Sequence, residues 1–115
     1  TNAGHFEPLL VRHDGAVQDL PGGGPPLGMF KQSKYPTLDT KVDPGDLLVL
    51  FTDGLVDLRS SGEDFFGQER VRQAVTAQRN RPLTEIASYL LGEGMAFSAS
   101  PHPEDDLTLF LVRFL

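Results

Sequence analysis

The feature that most constrains this chain is a run of five apolar residues, Leu47–Phe51, set between two turn signals. Pro44-Gly45-Asp46 precedes the run, and Asp53-Gly54 follows it after a single threonine. A short apolar run bounded in this way predicts a fully buried strand. The strand delivers the Asp53 carboxylate to its carboxyl end, where Gly54 is expected to let the chain turn sharply.

Two interpretations of Asp53 fit this pattern. Aspartate is a favoured N-cap residue, so Asp53 can simply cap the short helix that we predict at residues 55–58. A carboxylate held at the end of a rigid strand also suits a metal ion or a catalytic base. The stretch by itself leaves both interpretations open.

The segments before the central run predict strands and loops. Asp14-Gly15 separates two strand-like runs, at residues 8–12 and 16–20, which predicts a β-hairpin. Residues 21–26 contain only proline and glycine and are expected to form a connecting loop, since the lysine of a phosphate-binding loop is missing after them. Residues 35–42 alternate in part and predict an extended segment that forms a second hairpin with the central strand.

Two longer helices are predicted after the central run. Apolar residues recur at helical spacing within residues 67–78. A second helix is expected to begin with Asn80 as its cap and to carry Pro82 in its first turn. Gly92 and Gly94 are expected to weaken that helix near its end.

An apolar strand is predicted at residues 107–114, at the end of the chain. Strands followed by two helices and one further strand predict an α+β fold, with helices flanking antiparallel β-sheets. Residues 1–115 fit one domain with a modest core.

Composition limits the classes of partner and chemistry. The 115 residues carry a formal net charge of −6 and include no cysteine. A nucleic-acid or anionic-membrane surface needs a basic patch, so neither contact is expected. No apolar run approaches the length of a membrane span and no signal peptide opens the chain, so a cytoplasmic location is expected. The absence of cysteine excludes disulfides, thiolate metal sites and cysteine nucleophiles.

A second acidic site stands at the start of the last predicted strand, where Asp105 and Asp106 follow Glu104. If this strand pairs antiparallel with the central strand, its start lies beside Asp53. Converging carboxylates repel each other unless a cation neutralises them, and oxygen-only ligands suit Mg²⁺ or Mn²⁺. An acidic triplet is also typical of a solvated turn, so both interpretations stay open.

The histidines and hydroxyl residues add little catalytic signal. His13 lies in a predicted turn and His102 in a predicted loop. Only His5, which follows Asn2-Ala3-Gly4, lies in a segment whose residues favour a defined local structure. A lone histidine is more often a structural, hydrogen-bonded residue than a ligand. The Gly-x-Ser-x-Gly pattern of a nucleophile elbow is absent.

Together these motifs resemble the C-terminal half of the metal-dependent protein phosphatases of the type 2C superfamily (PPM), in its bacterial SpoIIE-like branch. Five short matches occur in the expected order across nearly the whole chain. They are Asn2-Ala3-Gly4-His5 with Pro8-Leu9-Leu10; Leu27-Gly28; Pro44-Gly45-Asp46 through Thr52-Asp53-Gly54-Leu55; Phe66-Gly67 with Glu69-Arg70; and Asp105-Asp106-Leu107-Thr108.

The resemblance implies a β-sandwich flanked by helices, with a two-metal site that hydrolyses phosphoserine and phosphothreonine through a metal-activated water. It implies that Asp53 and Asp105 ligate Mn²⁺ or Mg²⁺, with no catalytic residue beyond the ligands. Gly54, Asp106 and His5 would support the site. Phosphorylated regulators of bacterial stress or sporulation signalling, such as anti-sigma-factor antagonists, would be the substrates.

The resemblance also implies that part of the site is missing. The family's first metal-binding motif, an Asp-Gly pair often followed by Gly-His-Gly, belongs before Thr1. Residues 1–115 are therefore expected to be a partial domain that is inactive alone, within a parent phosphatase. Strand edges left unpaired are expected to favour homodimerisation.

Two other hypotheses remain open at this point. One is a degenerate, non-catalytic phosphatase module that acts by protein–protein interaction in bacterial signalling. The other is a single-cation binding domain unrelated to phosphatases. The chain segment before Thr1 would distinguish the first hypothesis from an enzyme, because it would carry or lack the Asp-Gly motif.

Overall fold

A computed structural model describes all of residues 1–115 and contains four strands and three helices. The predicted α+β class, with an antiparallel sheet and flanking helices, is confirmed. None of the helices has both the length and the apolar character needed to cross a membrane. In chain order the elements are β1 (Leu9–Val11), β2 (Val17–Asp19), β3 (Leu47–Phe51), α1 (Asp53–Val56), α2 (Gly67–Gln78), α3 (Leu83–Phe97) and β4 (Leu109–Arg113).

The four strands form one antiparallel sheet in the order β2-β1-β3-β4. The predicted hairpin of β1 and β2 is present, and Gly15 supplies the positive φ of 98° that its turn requires. β3 is the central strand, as predicted: Leu48 pairs with Leu10 on one side and with Val112 on the other. β2 and β4 form the edges, and dimerisation through these edges stays a prediction.

One face of the sheet carries the core. Alternate residues of β1 and β3 point to this face, so that Leu9, Val11, Val49 and Phe51 are all buried there. The apolar stripes of α2 and α3 cover them. The helix residues buried in this cluster are Val71, Ala74, Val75, Ile86 and Leu90.

The prediction that residues 35–42 form a hairpin with β3 is wrong. β1 and β4 already take both hydrogen-bonding sides of β3, so no side remains for a third partner. Residues 35–42 instead run without strand pairing beside the second face of the sheet. There Leu38 and Val42 line a cavity of about 260 Å³ together with Leu10 and Leu48.

The helices also differ from prediction in two places, the starts of α3 and of α1. Pro82, and not Asn80, stands immediately before the first residue of α3. The short helix α1 begins two residues earlier than predicted. The helix α3 continues through Gly92 and Gly94, and the second glycine has a packing reason: a Cβ there would lie 2.9 Å from Cδ1 of Leu58.

Candidate metal centre

The pairing of β3 with β4 brings the two predicted acidic sites together. Phe51 is opposite Leu109, and beyond this pair the Thr52 amide donates to the Thr108 carbonyl at 3.1 Å. The end of β3, which leads into Asp53, therefore lies beside the start of β4, which follows Asp105 and Asp106. The predicted convergence of the two strand ends is present in the backbone.

The Thr52 side chain joins the end of β3 to the start of β4 by hydrogen bonds. Its hydroxyl donates to the Asp106 carbonyl at 3.1 Å and accepts from the Thr108 amide at 2.9 Å. The sequence reasoning did not identify Thr52 as a site residue. Its sequence signals were its place between the apolar run and Asp53-Gly54 and its inclusion in the match Thr52-Asp53-Gly54-Leu55.

Gly54 is buried where the two chain segments touch. A Cβ at position 54 would lie 2.3 Å from the Asp106 carbonyl oxygen and 3.3 Å from the Asp105 carbonyl oxygen. Gly54 is not among the glycines with positive φ. Glycine is required here because the two backbones approach closely, a packing reason that the expected sharp turn did not include.

The helix-cap interpretation of Asp53 is wrong. Thr52 occupies the N-cap position of α1, no side chain caps the helix, and Asp53 is its first residue. The Asp53 side chain is solvent-exposed at the end of β3. The other interpretation, that Asp53 serves as a metal ligand or a catalytic base, stays a prediction.

Asp105 and Asp106 are also exposed, in an irregular segment before β4. One oxygen of the Asp105 carboxylate, Oδ1, accepts a hydrogen bond from the Asp106 amide at 2.8 Å. This contact fixes the local turn and leaves the other Asp105 oxygen free to act as a ligand. The acidic segment is thus a solvated turn, and it is also adjacent to Asp53.

The residues of this chain fit a hard cation by donor type but not by number. Carboxylates and backbone carbonyls are the ligands that Mg²⁺ and Mn²⁺ favour. No group of three or more histidine, cysteine, aspartate or glutamate side chains is arranged to hold a metal ion. Asp53 and Asp105 would therefore need further ligands from outside residues 1–115 to complete a two-metal centre.

His5 is fixed in a turn at the start of the chain. The Asn2 side chain accepts from the His5 amide at 2.8 Å and donates to the His5 carbonyl at 2.9 Å. The His5 ring nitrogen Nδ1 lies 2.7 Å from the Phe6 carbonyl, which can only accept, so Nδ1 carries the proton. Phe6 packs on Phe51 with ring centroids 5.3 Å apart, which attaches this turn to the end of β3.

Comparison with known proteins identifies relatives over the full chain. A family model described as Stage II sporulation protein E (SpoIIE) matches residues 1–115. Protein IcfG of a Synechocystis species is 32% identical over 111 residues, which cover 96% of this chain and 17% of that protein.

Solved structures give the same fold. The chain superposes on the SiaA-PP2C domain of Pseudomonas aeruginosa with a TM-score of 0.79 and 25% identity, covering 94% of this chain and 44% of that one. It superposes on the phosphatase domain of the cell-fate determinant SpoIIE of Bacillus subtilis, from crystals presoaked with Mn, with a TM-score of 0.70 and 20% identity. That match covers 96% of this chain and 47% of the solved domain, so the chain spans less than half the length of each of these relatives.

Proposed function

The chain belongs to the Stage II sporulation protein E (SpoIIE) family, and on that premise we propose that residues 1–115 form the C-terminal part of a metal-dependent serine/threonine protein phosphatase domain. The complete domain hydrolyses phosphomonoesters, and residues 1–115 alone are inactive. The observation that carries this proposal is the backbone contact between Gly54 and Asp106, which brings two acidic strand ends to one point. The match to less than half of each solved phosphatase chain supports the partial-domain assignment.

Asp53 and Asp105 are the proposed metal ligands, and Mn²⁺ or Mg²⁺ is the proposed ion. A two-metal centre lowers the pKa of a bound water and neutralises the phosphoryl oxygens of the substrate. Within this chain, Gly54 and Asp106 hold the two strand ends at contact distance, and Thr52 fastens them. His5 supports the end of β3 through its fixed turn and the packing of Phe6 on Phe51.

The proposed substrates are phosphorylated regulatory proteins of bacterial signalling, including the control of sigma factors, in the cytoplasm. A phosphorylated protein carries a dianionic phosphate, which an exposed acidic segment repels without a cation. The exposed position of Asp53 and Asp105 leaves room for a protein-sized substrate to reach the site. Both points support a cation-dependent reaction on a surface-bound phosphoprotein.

The test uses the natural protein that contains residues 1–115. Its hydrolysis of p-nitrophenyl phosphate is measured against Mn²⁺ concentration, for the wild type and for Asp53→Asn and Asp105→Asn. Each variant is expected to lose most activity and to need more Mn²⁺, because each removes a charged ligand. Asp39→Asn, at an exposed position away from the strand ends, is the control. Full activity in Asp53→Asn would refute the metal assignment.

A second candidate function is a non-catalytic phosphatase module that binds a partner protein. The observation that favours it is the shortage of side-chain ligands in this chain. The natural protein would then bind phosphorylated partners without hydrolysing them at any Mn²⁺ concentration. Calorimetric Mn²⁺ binding by the natural protein, measured beside hydrolysis, distinguishes the two functions.

A further inference from the structure

A polar cleft of about 690 Å³ opens directly beside the candidate metal centre. Gly54 and Asp105 line one end of it. One wall is the segment from residue 57 to 65, which follows α1, and the other is the segment from 98 to 105, which precedes β4. A phosphorylated side chain placed at Asp53 and Asp105 would therefore have its neighbouring peptide near this cleft.

The first wall is an ordered hairpin. Arg59 and Phe65 form an antiparallel bridge, the Ser60 amide donates to the Asp64 carbonyl at 2.9 Å, and the Phe66 amide donates to the Leu58 carbonyl at 2.8 Å. The Ala99 amide also donates to the Arg59 carbonyl at 2.8 Å, which joins the two walls. The cleft thus has a fixed shape at Arg59.

Arg59 and Phe65 present a paired surface at this fixed point. The guanidinium carbon of Arg59 lies 4.8 Å from the centroid of the Phe65 ring, in a cation–π contact. Both residues are exposed, and Phe65 keeps 49% of its surface accessible although it is a large apolar residue. Arginine and aromatic residues are the types enriched where proteins bind each other.

Arg59 is also the only lysine or arginine that lines the cleft. Asp57, Glu63 and Glu104 line it as well, so that most of its charge is negative. These carboxylates disfavour an acidic group of a bound peptide, and Arg59 supplies the one fixed positive charge in the cleft, which His102 also lines. Attraction at one point and repulsion around it give a positional preference.

We propose that Arg59, held on the ring of Phe65, is a specificity-determining residue that binds an acidic side chain close to the phosphorylated residue of the substrate. This proposal rests on the proposed phosphatase function. The chemistry is the pairing of a guanidinium with a carboxylate, which arginine makes with two parallel hydrogen bonds. Stacking on Phe65 holds the guanidinium in place and so reduces the conformational entropy that the Arg59 side chain loses on binding.

The test compares phosphoserine peptides that carry one glutamate at successive positions on either side of the phosphoserine with matched glutamine peptides. The natural protein that contains residues 1–115 is expected to favour glutamate at one position by roughly 3- to 10-fold in kcat/KM, the size expected of one partly exposed ionic contact. Arg59→Ala is expected to abolish this preference, and Arg59→Lys to retain part of it. Arg81→Ala, an exposed arginine after α2, is the control and is expected to keep the preference.

Two results would overturn the proposal. One is an unchanged glutamate preference in Arg59→Ala. The other is an equal loss on glutamate and glutamine peptides, which would indicate only a structural role for Arg59. Fluorescence anisotropy measures the binding of the same peptides independently of their hydrolysis. If the wild type hydrolyses nothing, the phosphatase function fails, and Arg59-dependent binding of the glutamate peptide still decides this proposal.

Discussion

The α-carbon of Gly54 faces the carbonyl oxygen of Asp106 so closely that a Cβ at position 54 would lie 2.3 Å from that oxygen. Real Cβ atoms do not approach a backbone oxygen to this distance, and backbone atoms cannot move aside as a side-chain tip can. The spacing between the end of β3 and the segment before β4 is therefore set by the absence of a side chain at residue 54. This spacing controls how near Asp53 lies to Asp105.

Gly54→Ala is expected to push the two strand ends apart. The added methyl group must displace the Asp106 backbone, and we expect a loss of about 1–3 kcal/mol in the free energy of unfolding. We also expect the Mn²⁺ concentration for half-maximal hydrolysis to rise. Urea unfolding and Mn²⁺-dependent hydrolysis by the natural protein measure the two effects. Gly62→Ala, whose Cβ would meet nothing closer than 3.7 Å, is the matched control and should change neither quantity greatly.

Thr52→Val is expected to loosen the same junction without adding bulk. Valine keeps the shape of threonine but cannot donate to the Asp106 carbonyl or accept from the Thr108 amide. We expect the free energy of unfolding to fall by about 1–2 kcal/mol, because the two hydrogen bonds of the Thr52 hydroxyl are lost. Thr52→Ser keeps the hydroxyl and should lose much less. Equal stabilities of the valine and serine variants in urea would show that the hydroxyl contributes little.

The local signals of the sequence predicted the parts of the fold that depend on neighbours in the chain. The apolar run of β3, the Asp14-Gly15 hairpin and the helical spacing of α2 are all local patterns, and the structure contains each of them. The predicted full burial of β3 is wrong, because Leu48 and Leu50 are only partly buried. The approach of the end of β3 to the start of β4 also followed from sequence, because antiparallel pairing necessarily places the end of one strand beside the start of its neighbour.

The wrong predictions concern features that depend on residues distant in the sequence. Partial alternation at residues 35–42 indicates an extended chain, but it does not reveal that β1 and β4 already occupy both sides of β3. A glycine has a local cost in a helix, so a weakening of α3 near its end stays a prediction, although the helix continues to Phe97. The close contact of Gly94 with Leu58 is tertiary, so no local pattern could indicate it.

The two glycines of α3 are expected to respond differently to substitution by alanine. Gly92 is exposed, a Cβ there would meet nothing within 4 Å, and Gly92→Ala should stabilise the protein by roughly 0.5–1 kcal/mol through helix propensity. A Cβ on buried Gly94 would lie 2.9 Å and 3.2 Å from the Cδ1 atoms of Leu58 and Leu55. Gly94→Ala should therefore gain less than Gly92→Ala or lose stability. Thermal unfolding of the two variants compares them, and equal stabilisation would contradict the packing reason for Gly94.

Asp46, which the sequence presented only as a turn residue, is fully buried at the start of β3. Its carboxylate accepts from the Asp43 amide at 2.9 Å, from the Arg12 guanidinium at 2.8 Å and from the His13 amide at 3.0 Å. Burial alone would raise the pKa of Asp46, but these hydrogen bonds outweigh it and lower the pKa from 3.8 to about 2. The ionised carboxylate therefore joins the turn before β3 to the two residues that follow β1.

This lowered pKa predicts how stability depends on pH. A carboxyl whose pKa is lower in the folded state stabilises the fold above its unfolded pKa, and the contribution is lost as the pH falls through the folded value. The stabilisation by Asp46 is therefore lost between about pH 4 and about pH 2, and at neutral pH it contributes about 2 kcal/mol to the free energy of unfolding.

Asp46→Asn should therefore be markedly less stable than the wild type at pH 7 in urea unfolding. The difference between the two should shrink as the pH is lowered toward 2, because the wild-type carboxyl then takes up a proton. Asp39→Asn, on an exposed residue, serves as the control. A difference that stays constant between pH 7 and pH 2.5 would mean that Asp46 stabilises the turn by its shape and not by its charge.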